Sequence, residues 1–174
     1  RIAQQPATTS CCGSSCCSSD EDPFKVDYSI AKGYVKEADL ALGCGMPTGS
    51  VDINPGDTVV DLGSGAGNDA FVARHAAGPG GRVIGVDMTP AMIERANATR
   101  DRLGLHNVEF RLGEIEKIPL DADTANVVIS NCVLNLVPDK SRAFAEIYRI
   151  LKPGGRFSVS DVVLSGPLPG SILR

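Results

Sequence analysis

The stretch Thr58-Val59-Val60-Asp61-Leu62-Gly63-Ser64-Gly65-Ala66-Gly67 limits the possible folds more than any other part of the chain. Its first half is apolar and β-branched, as a buried strand requires. The run then ends on an acid and opens into three glycines, which reads as a tight turn followed by a helix start. Glycine has no Cβ and tolerates positive φ, so backbone there can come close to a ligand. Strand, glycine turn and helix in that order open an α/β unit.

The same punctuation continues downstream. Apolar, β-branched runs are expected as strands at 58–62, 82–86, 108–112, 126–130 and 156–160, with helices between them at 68–77, 90–103 and 140–151. Thr89 before Pro90 is a good helix entry, and Pro153-Gly154-Gly155 a strong stop. In the last helix Phe144, Ile147 and Leu151 fall on one stripe, with Ala143 and Ile150 beside it. Alternating strands and helices imply an α/β, doubly wound, mostly parallel sheet with right-handed crossovers. Ahead of it a helical pattern is expected over 28–42, broken by a Gly43-Cys44-Gly45-Met46-Pro47 loop. Residues 1–23 are rich in Ser, Thr, Cys and Pro around an acidic Asp20-Glu21-Asp22. They read as a mobile tail, leaving 24–174 as one domain.

Composition narrows the partners. The chain has 174 residues, 43% apolar and 22% charged, with a net charge of −4. Lys and Arg are not clustered, which argues against nucleic acid. No apolar run approaches the roughly 18 residues of a membrane span, and no apolar leader opens the chain, so no membrane association and a cytoplasmic location are expected. In that compartment the six cysteines read as metal-binding or catalytic rather than as disulfide staples.

Ligands of doubly wound sheets sit outside the carboxyl ends of the strands. Asp61 and the glycine turn (Gly63, Ser64, Gly65, Gly67) follow the first strand. The third glycine comes one residue too early for a dinucleotide site, and Asp61 would repel a pyrophosphate. It would instead favour a ligand bearing an ammonium group and no phosphate, as S-adenosylmethionine does. Asp87 ends the second strand, where an acid can take both hydroxyls of a ribose. Gly113-Glu114-Ile115 follows the third and could frame an adenine. Asn131-Cys132 closes the fourth. His75 and His106 are isolated and read as surface or packing residues.

Taken in order, Asp61-Leu62-Gly63-Ser64-Gly65-Ala66-Gly67, Val86-Asp87-Met88-Thr89-Pro90, Gly113-Glu114-Ile115-Glu116, Ser130-Asn131-Cys132-Val133 and Leu151-Lys152-Pro153-Gly154-Gly155 resemble the motifs of class I S-adenosylmethionine-dependent methyltransferases, which are Rossmann-like. Gly43-Cys44-Gly45 together with the segment from Ser130-Asn131-Cys132 to Pro138-Asp139-Lys140 is similar, more narrowly, to the arsenite methyltransferases. The resemblance implies methylation of arsenite for detoxification. It assigns S-adenosylmethionine to Asp61, Gly63, Ser64, Gly65, Gly67, Asp87, Met88, Glu114, Ile115 and Asn131, and trivalent arsenic to the catalytic thiolates of Cys44 and Cys132. A thiol reductant, glutathione or thioredoxin, is implied because methylation formally oxidises arsenic. Within the tail, Cys11-Cys12 and Cys16-Cys17 lack C-x-x-C zinc spacing, and the family implies a redox role for Cys16 or Cys17. The family also has another active-site cysteine and further strands beyond the fifth. A chain running from Arg1 to Arg174 is therefore expected to be incomplete at its C-terminal end, with an unpaired last strand and an arsenic site completed by solvent or a small thiol. Two other readings share these motifs: a methyltransferase for a small organic acceptor, and a non-catalytic metalloid-binding module.

Overall fold

The computed structural model of the chain describes residues 26–163 and Gly166. The tail with Cys11, Cys12, Cys16 and Cys17, and the boundary expected near residue 24, lie outside the described residues. Five strands, β1 (Thr58–Leu62), β2 (Arg82–Asp87), β3 (Val108–Leu112), β4 (Ala125–Asn131) and β5 (Leu151–Ser160), alternate with helices α1 (Asn68–Ala77), α2 (Pro90–Leu103) and α3 (Lys140–Ile150). They form one sheet in the order β3-β2-β1-β4-β5, and every pairing is parallel. The chain winds outward from β1 in one direction, then returns to lay β4 on its other side. The switch point of this doubly wound α/β sheet is therefore the β1/β4 seam.

Strand periodicity divides the core into two layers. Val60, Leu62, Ile84, Val86 and Val128 pack under α3 with Ile147 and Ile150. Val59, Val83, Val127 and Ile129 face the other way, against Phe71 and Phe110. Position 61 shares the second face, so the pleat turns Asp61 toward α1 rather than toward solvent. Asp61 is only 2% exposed.

Three expectations need correction. The 28–42 segment is not a helix: it contains a single 3₁₀ turn at Tyr28–Ile30, followed by irregular turns. The α3 stripe is centred on Ala143, Ile147 and Ile150, with Phe144 half out in solvent, where its ring meets Phe157 edge-on. Finally, α3 passes directly into β5 at Leu151, and Pro153-Gly154-Gly155 lies inside the strand. There the register jumps from Ala125↔Leu151 to Val127↔Arg156. A bulge tolerates proline and glycine because it leaves residues out of the ladder.

Candidate functional site

At the β1/β4 switch point the carboxyl ends of the strands enclose a cleft of about 340 Å³. A hollow of similar size between Arg100 and Glu109 lies at the amino end of β3, the wrong end of the sheet for a ligand of this fold. The cleft is shaped by the glycine turn after β1. Gly63, Gly65 and Gly67 all have positive φ, at +72, +51 and +97. Gly63 and Ser64 donate their backbone N–H groups to the Val86 carbonyl at 2.8 and 3.1 Å. Gly65 N–H donates to Asp87 Oδ2 at 2.9 Å, and Thr89 N–H to Asp87 Oδ1 at 2.8 Å. Asp87 thus ties the turn to the end of β2 and also lines the cleft.

Of the ligand-binding residues expected from sequence, Asp61, Gly63, Ser64, Gly65, Asp87 and Asn131 line this cleft. The other four do not. Gly67 caps α1, where a Cβ would come within 2.7 Å of Phe110 and 2.9 Å of Phe71. Met88 is 74% exposed, Glu114 is exposed and bridges to Lys117, and Ile115 packs into the core layer under α3. His75 and His106 are exposed.

Acids dominate the floor. Asp39, Asp61, Asp69 and Asp87 all line the cleft, and Asp61 Oδ2 and Ser64 Oγ are buried without a hydrogen-bond partner. Burial, with the Asp69 and Asp87 charges next to it, holds the Asp61 carboxyl well above the usual carboxylate range, against the Ala70 backbone N–H. Burial likewise raises Asp69, while hydrogen bonds from Asn131 and Tyr28 oppose it. The arrangement favours a cation and disfavours an anion.

That shift fixes a sign. A carboxyl whose pKa is higher folded than unfolded binds more protons in the native state. Stability therefore rises as pH falls from the folded value toward the unfolded one near 3.8, and is lost as pH climbs back through the folded value. Thermal melts taken at pH values rising from the unfolded value are expected to show that slope, and Asp61→Asn to flatten it while raising the melting temperature where the parent carboxyl is ionised. Parallel curves for the two proteins would remove Asp61 as the cause.

On the rim, Cys44 and Cys132 meet. Their sulfurs form a disulfide between residues 88 apart in sequence, with Cα atoms 5.8 Å apart, within the ordinary range for such a bond. Where sequence favoured free thiols, the structure pairs these two. Cys132 has φ +56 and donates its N–H to the Ser160 carbonyl at 2.8 Å, a backbone state that surroundings must hold in place. The Gly43-Cys44-Gly45 loop lies flush on the strand ends. A Cβ on Gly43 would come within 2.8 Å of Asn131 Nδ2, and one on Gly45 within 2.7 Å of Ser160. Among the described residues no group of three or more His, Cys, Asp and Glu side chains converges as a metal site, and no helix is long and apolar enough to cross a membrane.

Sequence reasoning missed two residues. Tyr28 is 3% exposed, and its hydroxyl, with one hydrogen to donate, lies 2.6 Å from the Gly45 carbonyl and 2.8 Å from Asp69 Oδ1. Asp69 carried a weak signal as an acid in the first turn of α1. Tyr28 carried none, since it stood in a stretch read as ordinary helix.

Residues 53–173 match the family model described as a methyltransferase domain. The chain is 48% identical over 162 residues to the arsenite methyltransferase of Halobacterium salinarum, covering 93% of this chain and 41% of that protein. It is 38% identical over 156 residues to that of Aquipseudomonas alcaligenes, covering 86% and 44%. The fold matches the crystal structure of an arsenic(III) S-adenosylmethionine methyltransferase from Chlamydomonas reinhardtii with a TM-score of 0.66 at 45% identity, over 75% of this chain and 46% of that one. The chain thus spans less than half the length of these relatives.

Proposed function

The chain belongs to the family of methyltransferase domains, and from that premise we propose that it methylates trivalent arsenic held on Cys44 and Cys132, using S-adenosylmethionine. The observation that carries the reading is the meeting of those two sulfurs on the rim of an acid-floored cleft. The residues suit this methyl donor. Its ammonium and sulfonium groups are both positive, and the unpartnered Asp61 Oδ2 is a buried acceptor in need of a donor. Asp87 stands where ribose hydroxyls would be taken, and Gly65, where a Cβ would meet nothing within 4 Å, leaves the backbone open to close approach. When bound, S-adenosylmethionine supplies a methyl group already activated on sulfur, so no strong general base is required.

The protein's own task is then to position and to exclude water. Trivalent arsenic is soft, and thiolates are the ligands that select soft ions. Coordination through Cys44 and Cys132, completed by solvent or a small thiol, leaves the arsenic lone pair free toward the cleft. In the disulfide form the sulfurs cannot bind it. Two molecules of glutathione, or one of a dithiol such as thioredoxin, must open the bond in a cytoplasmic setting, leaving two protein thiols and one oxidised disulfide of the reductant. The same reductant returns the two electrons that arsenic loses on methylation, and the physiological outcome would be arsenic detoxification.

Incubating this chain with S-adenosylmethionine, arsenite and a thiol, then separating arsenic species by chromatography, is expected to yield methylated arsenic. Retained arsenite with no methylated species would instead describe a binding module.

A further inference from the structure

One hydrogen-bonded cluster beside the two cysteines is not used by the reading above. Asn131 Nδ2 lies 2.9 Å from the Gly45 carbonyl, 3.0 Å from Asp69 Oδ2 and 2.8 Å from the Tyr28 hydroxyl. Its Oδ1 accepts the Cys44 backbone N–H at 3.1 Å. The Tyr28 hydroxyl adds a second donor to the Gly45 carbonyl and reaches Asp69 Oδ1. Asn131 is also the residue bonded directly to Cys132. One side chain therefore joins both sulfur-bearing segments, to Cys132 through the peptide bond and to Cys44 through the amide.

We propose that Asn131, braced by Tyr28 and Asp69, is a positioning residue that sets the Cys44 sulfur against the Cys132 sulfur. Three features support it. The bonds that reach Cys44 N–H and the Gly45 carbonyl come from side chains, so the loop's place on the sheet depends on them. The two amide hydrogens of Asn131 face three acceptors already, which leaves no donor for a ligand in the cleft. And the bracing side chains are buried, with Tyr28 3% and Asp69 8% exposed and Asn131 half-buried between them and the cleft, where such bonds are stronger and their loss dearer. Burial and the neighbouring Asp69 push the Tyr28 hydroxyl above its ordinary value, which keeps it a donor at any physiological pH. This role deepens the arsenic reading and rests on it for its functional meaning, though the geometry it describes does not need arsenic.

The test reads how strongly the two thiols are held together. The chain and its variants are equilibrated with glutathione and glutathione disulfide, which oxidises the pair to a disulfide and releases two glutathione molecules. After trapping and proteolysis, mass spectrometry measures the Cys44–Cys132 linked peptide. Asn131→Ala is expected to lower the effective concentration of the two thiols about tenfold or more, and Tyr28→Phe, which removes one oxygen, about threefold. Ile147→Val, in the opposite core layer, is expected to lower the melting temperature while leaving the thiol pair within about twofold of the parent. An Asn131→Ala value no lower than that of Ile147→Val overturns the proposal. So does a tenfold loss of S-adenosylmethionine affinity with thiol coupling intact, which would return Asn131 to the ligand. Should Asn131→Ala not fold, Tyr28→Phe decides alone, since coupling equal to the parent's overturns the claim. If serine at either cysteine leaves arsenite methylation unimpaired, the placing of arsenic on these two sulfurs fails while this result stands.

Discussion

Serine at Cys44 or at Cys132 is expected to cut arsenite methylation by roughly a hundredfold or more, because each change removes one of two soft ligands from a thiophilic centre. The exchange of sulfur for oxygen is nearly isosteric, so neither the loop nor the strand end has a steric reason to move. A serine hydroxyl is a hard donor that stays protonated at neutral pH. One remaining thiolate would bind arsenic loosely and without a fixed direction, and a methyl transfer that relies on placement would lose its advantage. Affinity for S-adenosylmethionine, followed by titration calorimetry, is expected to change little, because Asp61, Asp87 and the glycine turn are untouched. Parental rates in both serine variants would mean that arsenic is not held on these sulfurs, whereas turnover of S-adenosylmethionine with no arsenite methylated by the parent chain would mean that the cleft serves a different acceptor. A small organic ring would then be favoured, resting against Leu40, Leu42 and Leu136 on the cleft wall.

Alanine at Gly63 is expected to damage the fold severely. The residue has φ +72, and a Cβ there would sit 2.7 Å from both Val133 methyls and 2.8 Å from the Val133 Cβ. A branched side chain has no flexible end to swing aside. The expected loss is about 2–4 kcal/mol in urea unfolding, from the left-handed backbone and the collision together. Gly104→Ala separates the two causes. Gly104 also sits in the left-handed region, with φ 64 and ψ 33, but a Cβ there would meet nothing within 4 Å. Its loss is expected to be only about 1–2 kcal/mol. Equal losses at the two sites would mean that contact with Val133 is relieved cheaply, and that the turn is less tightly fitted than the distances imply.

Much of the architecture could be read from sequence because its causes are local. A run such as Thr58-Val59-Val60 before three glycines names strand and turn within ten residues, and Thr89-Pro90 marks its helix within two. The bounds of α1, α2 and β3 came out as expected for this reason. Where the reading slipped, the deciding contact was remote. The 28–42 stretch has helical spacing, yet Tyr28 is held by Asp69 and Asn131, 41 and 103 residues away, and no periodicity encodes that. Ile115 looked like a loop residue able to frame a base, but the turn after β3 folds it under α3 instead. On the site, the glycine turn, Asp61, Asp87 and the strand-end position of Cys132 were legible. That Cys132 would bond to Cys44 was not, since the path of the 43–45 loop over the sheet depends on side chains from four separate segments.

The glycines at 43 and 45 carry a consequence for how this protein can vary. Neither has a positive φ, so nothing in their own backbone angles forbids other residues; the prohibition comes from Asn131 beneath one and Ser160 beneath the other. Natural or laboratory diversification can thus enlarge those positions only by trimming the facing residue in the same step. Single-site drift at the rim is closed, and change there must arrive in matched pairs.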